Sequence, residues 1–518
     1  MNYEFIAQFD ETFNDFSLTA IAGTNLYHRR YDYLYQATVG GLSTPNFFNI
    51  EGSIDRPVVN NYLDRKRIFS WFTTATVGYK DLIFLDASFR QDYTSTLPEG
   101  NNGYSYPSVS TSFIFSELLK AKAISFGKVR LSLARAGSDI GTQQTSNPYA
   151  IAINGTITSA YLPNTLNNPN LQPSFADAFE AGLNMQFLDN RIGFDLTYYK
   201  QNNKKQAITL DVSGSTGYTG TVVNAGNIEN KGFELAINGV PVKTNKFNWN
   251  TQVNFASNKS KVIELIPAYE ISNRILSSNT YSGVSVYVNA EVGKAYGTLI
   301  GRGYRRDPKT NKILLGTNNM PLYEDNHEFG NIVPELTGGW VNTFRFGKFD
   351  LSALVDFQKG GMFFSWTKML AVKSGQAAET AAINGNGKNV RDPVADGGGV
   401  WVSGISAATG QEVNTYVDGK TYYRSTLGTH VYEEWAFDAS YIKLREVKLG
   451  YTFSLNKSRF RINSINFSLF ARNPWMIWQK APEGLDPSEL SAGGSLSWLE
   501  KGQLQTVRSF GCNLTIKF

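Results

Sequence analysis

The sequence predicts an all-β protein, an antiparallel transmembrane β-barrel. Three observations predict it. Apolar and polar residues alternate with period 2 in segments of about ten residues, and such segments recur along the whole chain. The connections between segments alternate between short and long. The composition is low in charge at 18%, below the roughly 25% usual in soluble domains, and aromatics reach 14%.

The alternation is clearest in residues 247–256. Phe247, Trp249, Thr251, Val253 and Phe255 share one face; Asn248, Asn250, Gln252, Asn254 and Ala256 share the other. The same pattern separates Ile192, Phe194, Leu196 and Tyr198 from Gly193, Asp195, Thr197 and Tyr199. It separates Phe233, Leu235 and Ile237 from Glu234, Ala236 and Asn238. Phe349, Leu351, Ala353, Val355 and Phe357 alternate with Asp350, Ser352, Leu354, Asp356 and Gln358. Ile465, Phe467, Leu469 and Ala471 alternate with Asn466, Ser468, Phe470 and Arg472. A single soluble strand also alternates; the recurrence is what carries weight.

About fifteen strands follow from this reading. They lie near 2–9, 15–28, 64–79, 81–93, 104–116, 126–136, 175–188, 190–203, 228–240, 245–259, 333–346, 348–360, 438–454, 463–473 and 505–518. Short connections include Tyr79-Lys-Asp-Leu82, Leu188-Asp-Asn-Arg191 and Phe346-Gly-Lys-Phe349. Long ones span 29–63, 137–174, 260–332, 361–437 and 474–504, with moderate ones at 94–103 and 204–227. Sorting of loop length by parity is the pattern of outer-membrane barrels, with tight periplasmic turns and extended external loops. No run of about 18 apolar residues occurs, so no transmembrane helix is expected. The opening MNYEFIAQFDETF lacks a basic n-region and an apolar h-region, and does not read as a signal peptide.

Composition excludes several functions. The chain has 518 residues, and 49 Lys and Arg against 44 Asp and Glu leave a net charge of +5. That balance gives no signal for nucleic acid. The single cysteine, Cys512, rules out a disulfide framework or a multi-thiolate metal site. The three histidines, His28, His327 and His430, are too dispersed for a His-based metal centre or a Ser/His/Asp triad. No cofactor is expected.

Individual features agree with a barrel. Trp71, Tyr79, Trp249, Trp340, Tyr451 and Phe453 fall near the predicted ends of outward stripes, as interfacial girdles require. The segment Tyr441–Phe453 breaks phase, which predicts a β-bulge near Arg445-Glu446 or a strand leaving the membrane there. The chain ends Phe510-Gly-Cys-Asn-Leu-Thr-Ile-Lys-Phe518. Phe510, Cys512, Leu514, Ile516 and Phe518 would face lipid. A terminal Phe on such a strand resembles the signal read by the outer-membrane assembly machinery, with Phe510, Leu514, Ile516 and Phe518 as its residues. Cys512 then serves as a small hydrophobe.

Several blocks of the sequence are more specific than strand periodicity. They are Asn168-Pro-Asn-Leu-Gln-Pro173 with Glu180-Ala-Gly-Leu183, Asn190-Arg-Ile192 and Tyr198-Tyr199; Asn224-Ala-Gly-Asn-Ile-Glu-Asn-Lys-Gly-Phe-Glu-Leu235; Gly330-Asn-Ile-Val-Pro-Glu-Leu-Thr-Gly-Gly339; Asp438-Ala-Ser-Tyr-Ile-Lys-Leu-Arg-Glu-Val-Lys-Leu-Gly-Tyr451; and the closing strand Arg508–Phe518. Together these blocks resemble the SusC/RagA-type TonB-linked (TonB-dependent) outer-membrane transporters of Bacteroidetes-like bacteria, and they occur in that family's order from about residue 168 onward; the first 165 residues fit more loosely, best at Val129-Arg-Leu-Ser-Leu133. Barrels of this class have 22 strands and a plugged lumen. The resemblance therefore implies that residues 1–518 are the C-terminal part of a barrel, strands 8–22, with signal peptide, plug and first strands absent. It implies a SusD-like surface lipoprotein as partner, the TonB–ExbB–ExbD system acting through the plug, and a glycan or peptide ligand.

Candidate residues follow. Asp195, Glu234, Asn250, Asp356 and Arg472 would line the lumen. Trp366, Trp401, Tyr416, Tyr422, Tyr423 and Trp435, in the 361–437 connection, are substrate-contact candidates, because aromatic faces stack on the C–H faces of sugars. Packing a core of the loop's own is the competing role. Asn386-Gly-Lys-Asn389 lacks the spacing and context of a phosphate loop. Asp307-Pro-Lys-Thr-Asn-Lys312 and Tyr323-Glu-Asp-Asn-His-Glu328 offer oxygens but not EF-hand spacing, and read as solvated loops. Asp350 and Asp356 read as pore lining, not as a glycosidase pair. An all-β surface glycan-binding module or adhesin stays open as an alternative function, and an outer-membrane enzyme is disfavoured by the missing catalytic constellation.

Overall fold

Backbone pairing between sequence neighbours organises the chain. A computed structural model describes all residues except 120, 155–156, 267–269, 429, 456–461, 494–495 and 505. Fifteen strands form one sheet: β1 (Asn2–Phe13), β2 (Phe16–Leu42), β3 (Ser53–Tyr79), β4 (Ile83–Thr94), β5 (Gly103–Phe113), β6 (Ile124–Ser138), β7 (Ser174–Phe187), β8 (Ile192–Asp211), β9 (Gly220–Lys243), β10 (Phe247–Glu264), β11 (Leu336–Phe346), β12 (Phe349–Lys359), β13 (Tyr441–Ser454), β14 (Ser464–Gln479) and β15 (Ser509–Lys517). Each lies beside the next in sequence, an up-and-down meander. The short strand Thr165–Leu166 adds in parallel to β9. Among the described residues β1 pairs only with β2, and β15 only with β14.

All fifteen predicted strands are present. Residue 505, the predicted start of the last one, lies outside the described residues, as do 155–156, 267–269, 429 and 494–495 of the predicted long connections. Two connections are corrected. Most of 29–63 is strand, because β2 runs to Leu42 and β3 starts at Ser53; most of 204–227 is strand as well. The reason is cross-strand pairing of β-favouring residues: Tyr33 faces Tyr62, Tyr35 faces Asn60, and the Tyr31 ring lies 6.4 Å from that of Tyr62.

Short turns collect at one end of the strands. Lys80 and Asp81 both take positive φ, 52° and 55°, as a type I′ hairpin turn requires. Phe346 pairs directly with Phe349 across Gly347-Lys348. The other end carries the long connections, up to 265–335 and 360–440.

The contacts divide into two units. One comprises Met1–Lys120, Lys128–Gly182 and Tyr199–Asn227; the other Ala121–Gly127, Leu183–Tyr198 and Ile228–Phe518. In the second, register makes the apolar face continuous. Trp249 faces Phe344, Phe344 faces Leu351, and Leu351 faces Leu449. Leu449 faces Leu469, which faces Cys512. Two polar groups on this face are satisfied by indoles: Trp249 Nε1 donates to Asn342 Oδ1 at 3.0 Å, and Trp340 Nε1 to Thr251 Oγ1 at 2.9 Å. Aromatics cluster at the turn end, with Phe349 and Tyr451 centroids 4.7 Å apart and Tyr451 and Phe453 4.6 Å apart. In the first unit, Phe16 and Tyr79 sit at the turn end, 4.8 Å apart.

The phase break in β13 is a bulge. Leu444 pairs with Val355 and Glu446 with Leu354, which leaves Arg445 as the extra residue. Its guanidinium reaches Asp356 and Glu489, each at 2.9 Å. Next to it Lys443, whose side chain is 3% exposed, ion-pairs with Asp486 at 2.6 Å. Ser488 and Thr506 also donate to that carboxylate. Burial alone would raise the Asp486 pKa; the Lys443 ammonium and the hydroxyl donors outweigh it and hold the carboxyl below its usual range.

Two outcomes follow. Val355→Arg, on the apolar face, should cost about 2–4 kcal/mol in the membrane-assembled protein, whereas Ser352→Arg on the polar face should cost little; urea unfolding in lipid vesicles measures both. Lys443→Met leaves Asp486 unpaired and should cost about 3 kcal/mol at neutral pH. Because the Asp486 pKa is depressed by folding, the pair's contribution is complete above the unfolded value of about 3.9 and is lost as pH falls through the lower folded value. The gap between wild type and variant should therefore hold at pH 5–7 and close below about pH 4.

Candidate functional site

Two surfaces present polar chemistry: the polar face of the sheet and the layer built by the long connections. On the sheet, Asn250 faces Thr343 in register, opposite in parity to Trp249. Asp356 accepts from Tyr441 Oη at 2.9 Å in addition to its Arg445 pair. Asp350 has a separate partner, the Asn466 amide at 3.1 Å, so the two carboxylates do not act together. Arg472 pairs with Glu446 at 2.9 Å and lies over the Phe470 ring. Asn184 donates to Asp195 at 2.8 Å. Glu234 is exposed, and its neighbour Phe233, of opposite parity, packs 5.1 Å from the Tyr198 ring. All five lumen candidates thus lie on strands at the polar parity, four of them with a named polar partner or facing residue.

The connections 265–335, 360–440 and 480–508 fold upon one another. Four antiparallel strands, Asn273–Tyr281, Val284–Glu291, Thr298–Tyr304 and Tyr323–Asn331, form one sheet. The helix Trp366–Lys373 is capped by Ser365 Oγ, which accepts from the Lys368 N–H at 3.1 Å. Val286, Val288, Leu299, Phe364, Met369, Tyr432 and Trp498 bury together as a core. The core takes two of the proposed substrate contacts. Trp435 is 4% exposed, and its Nε1 donates to Leu427 O at 3.0 Å. Trp366 is 3% exposed, within 5.4 Å of the Tyr281 ring. Burial removes Trp435 from ligand reach; Trp366 keeps one edge on a cavity. Tyr422 is largely buried, which pushes its phenol up to about 12. Trp401, 52% exposed, and Tyr416 face each other across the hairpin Val400–Ser406/Glu412–Val417, rings 5.0 Å apart.

The cavity measures about 1070 Å³ and lies between the helix and residues 419–424. Tyr423, Tyr281 and the Trp366 edge give it aromatic walls. Lys373, Arg391, Lys420, Arg424 and Lys501 also line it, and among the described residues no Asp or Glu does. Arg391 is fixed by the Thr380 carbonyl at 2.6 Å and the Thr380 hydroxyl at 2.9 Å. The Tyr423 hydroxyl donates to Glu379 O at 2.9 Å, and burial raises its pKa. Cations over aromatic walls favour a ligand with both an anionic group and an apolar face. Sequence reasoning reached Tyr423 and Trp366 but missed the five cations, which come from four separated stretches.

Of the two oxygen-rich stretches read as solvated loops, Tyr323–Glu328 is instead part of the strand Tyr323–Asn331, paired with Thr298–Tyr304. Asp307 Oδ2 accepts from the Thr310 N–H and hydroxyl, both at 2.8 Å, so it closes its own turn. Among the described residues no three His, Cys, Asp or Glu side chains converge as metal ligands.

Comparison with known proteins fits these features. Residues 2–367 match the family described as TonB dependent receptor-like, beta-barrel. TonB-dependent receptor P3 of Formosa agariphila is 22% identical over 519 residues, covering 91% of this chain and 48% of the relative. TonB-dependent receptor SusC of Bacteroides thetaiotaomicron is 22% identical over 451 residues, covering 83% and 42%. The chain spans about half the length of the curated relatives it matches. The structure of the RagAB peptide importer in the closed-closed state covers 100% of this chain and 55% of its own at a TM-score of 0.76 and 17% identity, which shows a shared fold. The strand meander, its apolar face and these matches place the protein in the outer membrane, and the chain belongs to the TonB dependent receptor-like β-barrel family.

Proposed function

We propose that this chain is the C-terminal barrel portion of a TonB-linked importer of oligosaccharides or peptides that works with a SusD-like surface lipoprotein. The observation that carries the reading is the external layer: three long connections fold into one core and leave a cationic, aromatic-walled cavity of about 1070 Å³. Cavities of this size suit short oligomers. In this reading Tyr423 and the Trp366 edge touch cargo in the cavity, and the exposed Trp401–Tyr416 pair meets cargo or partner. Asp195, Glu234, Asn250, Asp356 and Arg472 line the passage below. Support for a longer protein comes from β1 and β15, each of which has one partner strand among the described residues, since an open sheet edge is not tolerated in hydrocarbon, and from relatives about twice as long. A plug driven by TonB–ExbB–ExbD would supply the energy. Phe510, Leu514, Ile516 and Phe518 would present the terminal strand to the assembly machinery.

The test is purification of the complete protein from outer membranes, followed by mass spectrometry of what accompanies it. A stoichiometric lipoprotein and a bound oligosaccharide or peptide are expected. Tyr423→Ala with Lys373→Ala should lower cargo occupancy about tenfold or more, corresponding to the loss of a stacking and a charged contact. Recovery of the protein alone, with no lipoprotein under any growth condition, would sink the proposal in favour of a surface-binding module.

A further inference from the structure

The hairpin of β2 and β3 carries a second charged cluster, unrelated to the cavity. Register pairs His28 with Arg67, Arg29 with Lys66 and Arg30 with Arg65. Like charges directly opposite one another destabilise a strand pair. On the polar face the conflict is resolved internally: Arg29 pairs with Asp64 and Lys66 with Asp139, each at 2.6 Å. On the apolar-face parity it is not. His28, Arg30, Arg65 and Arg67 stand there with one carboxylate, Asp32, which Arg30 meets at 2.8 Å. Arg65 and Arg67 are exposed and have no ion pair among the described residues.

Depth explains why this matters. The same face reads Tyr79, Val77, Ala75, Thr73, Trp71, Phe69, then Arg67 and Arg65. Ten residues separate Tyr79 at the turn end from Phe69. At roughly 3.3 Å per residue and a tilt of about 40°, they rise about 25 Å, the height of an outer-membrane apolar band. Phe69 then sits at the external interface, where its ring stacks 6.4 Å from Tyr93; Trp71 and Phe89 pack 5.2 Å apart just below. Arg67 lies about 5 Å and Arg65 about 10 Å above that girdle. This is headgroup depth on the lipid-facing surface.

We propose that His28, Arg30, Arg65 and Arg67 form a site for the phosphate groups of a phosphorylated glycolipid of the outer leaflet. Three of the four are arginines, whose planar forks bind phosphate oxygens bidentately. A phosphate between the two rows would bridge Arg30 to Arg65 and His28 to Arg67. Acyl chains of the same lipid would run down over Phe69, Leu26 and Trp71, which share the face.

The test uses outer-membrane-extracted protein in neutral detergent. The probes are a diphosphorylated hexa-acyl disaccharide lipid, its dephosphorylated form, and inorganic phosphate, read by native mass spectrometry and by the unfolding temperature. The diphosphorylated lipid should bind and raise the unfolding temperature; the other two should not. Binding should weaken as salt rises from 0.05 to 0.5 M, by screening. Arg65→Gln with Arg67→Gln should weaken it about tenfold or more, and Arg65→Lys with Arg67→Lys should weaken it less. Equal binding of the dephosphorylated lipid, saturation by inorganic phosphate, salt-independent binding, or capture of an acidic protein in place of lipid would each overturn the proposal. The salt series needs no variant, so it stands even if the glutamine protein fails to assemble.

Discussion

Hydrocarbon offers no water to a backbone N–H or C=O, and that one constraint organises this chain. Every strand crossing the membrane must find its hydrogen bonds in neighbouring strands. Pairing each strand with the next in sequence satisfies the need with the shortest connections. It also fixes the side-chain logic. Once two strands are in register, parity alone decides whether a residue meets lipid or polar surroundings. The row from Trp249 through Phe344, Leu351, Leu449 and Leu469 to Cys512 is the result. Polar residues that stray onto that row, Asn342 and Thr251, are each matched to an indole N–H.

A departure from parity has to be contained in the same terms. The bulge at Arg445 inserts one residue, restores the apolar phase on either side, and turns a guanidinium toward Asp356 and Glu489. Lys443 beside it is paired with Asp486. The irregularity thus ties strand β13 to the 480–508 connection. A position that looks like a defect in the pattern is where the sheet is fastened to the layer above it.

Strand order and face assignment were legible because both depend on period 2, which survives in any window of the sequence. The bulge was legible as a change of parity between Leu444 and Val447. Strand length was less so. The outer halves of β2 and β3 are rich in Arg, Asn and Asp and look like loop until Tyr33 is placed opposite Tyr62. Burial in the external layer was not legible. An isolated tryptophan reads the same whether it packs, like Trp435, or projects, like Trp401. The cations of the cavity come from residues 373, 391, 420–424 and 501, and no local pattern joins stretches so far apart.

The core of the external layer has a temporal consequence. Trp498 is 1% exposed within it, and its indole donates to Ser277, 221 residues earlier. Loop closure over such a separation is entropically late. The cap therefore cannot finish until Trp498 has been delivered. A chain interrupted before Trp498 carries a cap without its keystone, so closure of the cap reports that synthesis has passed the external connections.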